Sequence, residues 1–146
     1  LDQMYELNLK YYKELTMYIL AGKKRLAEVR GGELEELGGC LAAHEQAYAR
    51  GDNELVADMD LQFHILLVEF ARSAKIEEHA KTILVQPRRL SQLSVYDTSH
   101  TEKFLKEHRA IYEALRAGDA AAAEEAVSRH IASIGAFQLA RLPACL

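Results

Sequence analysis

A glycine followed by an aspartate divides this chain twice, at Gly51-Asp52 and at Gly118-Asp119. Glycine closes a helix because it enters the left-handed region without a steric penalty. Aspartate opens the next helix because its carboxylate accepts from first-turn amides. Each pair therefore predicts a helix end, a tight reversal and a helix start, with the two helices antiparallel.

Between these turns the apolar residues recur at helical spacing, strand-like alternation is absent, and the 146 residues include only two prolines. The pattern predicts helices over about 2–28, 33–50, 54–72, 74–94, 101–117 and 119–142, with Gly31-Gly32 as a further break. Pro87 should kink the fourth of these and free the carbonyl of Ile83, because it removes one amide donor. The fold class expected is all-α, an antiparallel helical bundle. The length suits one domain over 1–146 with a real core, and there is no internal repeat or low-complexity segment.

Charge and cysteine usage narrow the function classes. Net charge is −4, and the basic residues are scattered apart from Lys23-Lys24-Arg25 and Arg88-Arg89, so no nucleic-acid-binding face is expected. Cys40 and Cys145 form no CxxC pair, which disfavours a disulfide scaffold and fits a reducing cytoplasm. No apolar run reaches the roughly 18 residues of a membrane span. The chain opens at Leu1 without a basic stretch and apolar core, and is expected to be a processed or excised piece lacking its own signal peptide.

The chemistry-bearing residues are histidines on apolar stripes. His64 lies in a row with Asp60, Leu67 and Ala71, beside Met59, Phe63, Leu66 and Phe70. His108 lies with Phe104, Ile111 and Leu115, and His130 with Val127, Ile134 and Phe137. His108 is ten residues before Gly118 and His130 eleven after Asp119. Equal offsets from one turn mean equal height, about 15 Å away at 1.5 Å per residue. Asp60 and His64, one helical turn apart, share a face and can reach one ion together. A third helix would thus complete a shell of three imidazoles and one carboxylate. Such a shell suits Zn, Ni, Mn or Fe, with a position left open for water or a small carboxylate.

A histidine on an apolar stripe is more often a satisfied core residue, and that reading stands beside the metal site. His44, His79 and His100 receive no ligand assignment; the last two are expected to be exposed. Glu107 is expected to point away from the site. Enzyme motifs fail one by one. His44-Glu45-Gln46-Ala47-Tyr48 ends in Tyr where HExxH needs His, and no Glu stands three residues before any histidine. A metal-dependent hydrolase or lyase on the same shell would need a general base that the pattern does not supply. An enzyme is therefore not expected, and a metal-free dimerisation module is the other alternative.

Taken together, Tyr5-Glu6, Ala49-Arg50-Gly51-Asp52, Asp60-x-x-Phe63-His64, Glu107-His108-Arg109-Ala110-Ile111, Gly118-Asp119, Ala123 and Ser128-Arg129-His130-Ile131 resemble the FCD domain. That is the C-terminal effector-binding domain of FadR-type regulators in the GntR superfamily. The resemblance implies a bundle of six to seven helices around a central metal and effector cavity. In the metal-binding branch the ligands correspond to Asp60, His64, His108 and His130, around one divalent transition metal. It also implies a small organic acid as effector, homodimerisation (the Tyr- and Leu-rich first helix is a candidate surface), and DNA binding only through a separate N-terminal winged helix-turn-helix. Arg88 or Arg89 is a candidate clamp for a second carboxylate. Asn8 stands where relatives often carry a pocket Arg, and Lys75 where they often carry Asn.

Overall fold

The computed structural model describes residues 32–70, 78 and 100–145. The described residues form four helices and no strand: α1 (Gly32–Arg50), α2 (Asn53–Phe70), α3 (Thr101–Ala117) and α4 (Ala120–Cys145). The helices expected over 2–28 and 74–94, with the Pro87 kink, lie outside the described residues. α1 starts at the Gly31-Gly32 break, and α4 continues three residues beyond the expected Leu142. Among the described residues no helix is long and apolar enough to cross a membrane.

Both Gly-Asp turns are built alike. Gly51 and Gly118 adopt φ of 71° and 70°. The Gly118 N–H donates to the Leu115 carbonyl and the Asp119 N–H to that of Ala114, both at 3.1 Å. The Gly51 and Asp52 amides do the same to Tyr48 and Ala47, at 3.1 and 3.0 Å. This paired pattern satisfies carbonyls left without partners at a helix end. Each aspartate then caps the next helix: Asp119 Oδ1 accepts from the Ala122 N–H at 3.0 Å, and Asp52 Oδ1 from the Leu55 N–H at 3.2 Å.

The two turns make two hairpins, α1–α2 and α3–α4, and α1 joins them by packing on α3. Leu37 from α1, Phe63 and Leu66 from α2, Ile111 from α3, and Ala123 and Ile131 from α4 meet in one core. Gly38 lets α1 and α3 close in, since a Cβ there would lie 2.8 Å from Tyr112 Oη.

Two glycines should respond oppositely to the same change. A methyl group at Gly118 meets open space, so only the left-handed backbone resists it; Gly118→Ala should cost about 1–2 kcal/mol. Gly39 is exposed in the helix with nothing nearby, and Gly39→Ala should gain about 0.5–1 kcal/mol. A urea midpoint of Gly118→Ala at or above that of wild type would show that this turn geometry is wrong.

Candidate metal centre

Three helices each bring one histidine to the same place. α2 supplies His64, held inward because Phe63, Leu66 and Leu67 on the same face are buried. α3 supplies His108 and α4 His130, only 0 % and 1 % exposed. The equal offsets from the Gly118-Asp119 turn are met in space: His108 Nε2 and His130 Nε2 are 2.9 Å apart. His64 Nε2 lies 3.3 Å from His130 Nε2. The ligand atoms of the three histidines all fall within 4.8 Å of one another.

Aromatic packing fixes the rings. Phe63 stacks on His108 with centroids 4.2 Å apart and planes at 7°. His64 stacks on His130 at 5.2 Å, and Phe104 meets His130 edge-on at 5.5 Å. Restricting each ring in this way lowers the entropy lost when the nitrogens engage a common ion.

Asp60 stands at the edge of the group. Its Oδ1 is 3.3 Å from His108 Nε2, and its side chain retains 33 % exposure. Asp60 does not join the mutual group of three imidazoles. Burial pushes its carboxyl up to about 6, against an opposing pull from His130. Burial, and then the neighbouring imidazoles, push His64 and His108 well below the usual histidine range. Both rings are thus neutral near pH 7, the form that ligates metals.

The donor separations fit an ion. Metal–imidazole bonds of about 2.0–2.1 Å place neighbouring nitrogens roughly 2.8–3.4 Å apart, for right-angled to tetrahedral arrangements. The observed 2.9 and 3.3 Å fall within that interval. Cys40 adds no thiolate, because burial, then Asp60 and Glu36, push its thiol up to about 11.

Two expectations need correction. Glu107 does not point away: its Oε1 lies 2.9 Å from His130 Nδ1, and its Oε2 accepts from Ser133 Oγ at 2.6 Å. The signal was in the spacing, since Phe104, Glu107, His108 and Ile111 stand at i, i+3, i+4 and i+7 of one helical face. Burial would raise the Glu107 carboxyl. The hydrogen bonds that it accepts from His130 and Ser133, with Lys103 nearby, bring it below its ordinary value. His100, expected to be exposed, is partly covered, with its ring 4.0 Å from Phe137 and 5.1 Å from Phe104. Asn8, His79, Arg88 and Arg89 lie outside the described residues.

His44 on α1 is 2 % exposed and packs edge-on against His108 at 5.3 Å, without joining the group of three. Burial pushes this imidazole down to about 4, Glu45 opposing and His130 adding. Between pH 6.5 and 4 the unfolded chain therefore binds the extra proton, so stability is full above 6.5 and lost as pH falls through 4. His64 and His108 act with the same sign. Asp60 acts with the opposite one, its contribution being present below 3.8 and lost as pH rises through 6. We expect the histidines to dominate, so that the metal-free domain loses stability from pH 6.5 to 4. His44→Phe should flatten that loss by up to about 3 kcal/mol. Urea unfolding at several pH values with chelator present measures it; an unchanged slope would mean that His44 is not buried as a neutral ring.

Comparison with known proteins agrees with this architecture. The FCD domain family matches residues 21–133. Among solved structures, E. coli McbR/YncC is similar over 96 % of this chain and 64 % of its own, with TM-score 0.78 and 13 % identity. Streptococcus agalactiae GntR is similar over 92 % and 57 %, with TM-score 0.70 and 20 % identity. A third, Lar, described as controlling the expression of the Listeria monocytogenes agr system and mediating virulence, covers 94 % and 65 %, with TM-score 0.69 and 21 % identity. At these identities the likeness concerns the fold. The chain spans 57–65 % of the length of these three structures. No curated protein matches it by sequence.

Proposed function

Because this chain belongs to the FCD domain family, we propose that it is the effector-sensing domain of a GntR/FadR-type transcriptional regulator and holds one divalent metal ion. His64, His108 and His130 would hold the ion, with Asp60 as the carboxylate ligand; Zn, Ni, Mn and Fe all suit such donors. The observation that carries this reading is the convergence of three buried imidazole nitrogens at metal-ligand separations. The bound ion supplies positive charge and an open position for one carboxylate of a small organic acid.

Two further parts of the reading follow from the same premise. The whole of 1–146 forms the sensing domain, and DNA is bound only by a separate N-terminal domain, consistent with the share of its structural relatives that the chain spans. Arg88, Arg89 and Asn8 remain candidates for the far side of the effector, and the domain works as a homodimer. The acid shifts the domain between arrangements by no more than its difference in affinity for them.

Protein purified without an affinity tag should contain about one equivalent of transition metal per chain by elemental analysis, and His108→Ala should contain none. Wild-type protein that stays empty after reconstitution with zinc, nickel or manganese would end the metal reading. Small di- or tricarboxylates should raise the melting temperature of the loaded protein and leave His108→Ala unmoved. An equal rise in both would place the acid away from the ion.

A further inference from the structure

The second ring nitrogen of His130 separates it from an ordinary core histidine. Its Nδ1 is 2.9 Å from Glu107 Oε1, and the other carboxylate oxygen is held by Ser133 Oγ at 2.6 Å. Glu107 comes from α3, whereas Ser133 and His130 stand one turn apart on α4, so the contact spans the hairpin. A carboxylate only accepts, so the proton between Oε1 and Nδ1 belongs to the ring. In a neutral imidazole the other nitrogen then carries a lone pair, and His130 Nε2 is the atom facing His64 and His108.

From this geometry we infer that Glu107, braced by Ser133, is a positioning residue that locks His130 in the Nδ1–H tautomer and so keeps its Nε2 lone pair on the metal position. The inference rests on the metal reading for its purpose, though not for its geometry. Ligating histidines are commonly oriented by such an outer carboxylate, which also raises the basicity of the ligating nitrogen. Ser133 prevents Glu107 from rotating away, and the partial burial of the pair strengthens both bonds.

His108 has no such outer partner: its Nδ1 is buried and has no hydrogen-bond partner among the described residues.

The test uses proton–nitrogen NMR of the metal-free wild-type domain at pH 8, together with zinc affinity by competition with a chelator. His130 should show the Nδ1–H tautomer. Glu107→Leu should lose that tautomer and bind zinc about 10–100-fold more weakly. Glu107→Gln, which keeps an acceptor, should retain the tautomer and lose less, and Ser133→Ala should fall between wild type and Glu107→Leu. If Glu107→Leu does not fold, the wild-type tautomer and the Glu107→Gln affinity still decide. A wild-type His130 carrying its proton on Nε2, or a Glu107→Leu variant with unchanged tautomer and zinc affinity, overturns the inference. If wild type takes no zinc but shows the Nδ1–H form, lost in Glu107→Leu, the metal reading fails and the lock stands.

Discussion

The desolvation of three imidazoles at one point is the constraint on which the described bundle depends. A neutral histidine buried in apolar surroundings is tolerable only when its polar atoms find partners. Here three helices bring their Nε2 atoms to one another, with His108 and His130 Nε2 at 2.9 Å and His64 following at 3.3 Å. Protonating His64 or His108 in the core is opposed by burial and by the neighbouring imidazoles. A cation other than the proton would resolve that conflict, since it would satisfy the converging lone pairs without protonating any ring.

Such a centre needs rigid hairpins, and short-range chemistry provides them. At Gly118-Asp119, glycine takes the left-handed conformation and aspartate caps α4, so the rise from the turn to His108 and to His130 matches to within one residue. A one-residue change in either arm would rotate its histidine by about 100° and remove it from the cluster. Phe63 and Phe104 then fill the space against His108 and His130, which converts an approximate meeting into a fixed one.

Much of this was legible in the sequence, for an identifiable reason. The turns were readable because glycine and aspartate act locally, and the His108–His130 meeting because helical rise is constant. The four described helices follow the spacing of their apolar residues to within a few positions. What stayed hidden depends on the pairing of side chains across helices. Glu107 was set aside as the neighbour of His108, although its own partners, His130 and Ser133, stand on α4. His44 likewise reveals its burial only once α1 packs on α3. A carboxylate or imidazole at the flank of an apolar stripe is ambiguous alone, and the facing helix decides.

The arrangement of the donors also bears on how sensing would work. His108 and His130 belong to one hairpin, whose turn fixes their separation, whereas Asp60 and His64 belong to the other. Among the described residues, the α1–α2 hairpin meets the α3–α4 hairpin by packing of α1 on α3 and through the rings of Phe63 and His64 on α2, and an ion would strengthen the tie from α2 to both helices of its neighbour. Asp60 stands at the edge of that tie, a third exposed, with its Oδ1 3.3 Å from His108 Nε2. An incoming carboxylate would take the position that these four donors leave open, beside Asp60. The effector would then act on the tie itself, through the ion, with His64 keeping α2 attached to the α3–α4 pair of ligands. A signal of that kind needs no large rearrangement of the core, because every donor stays on its own helix.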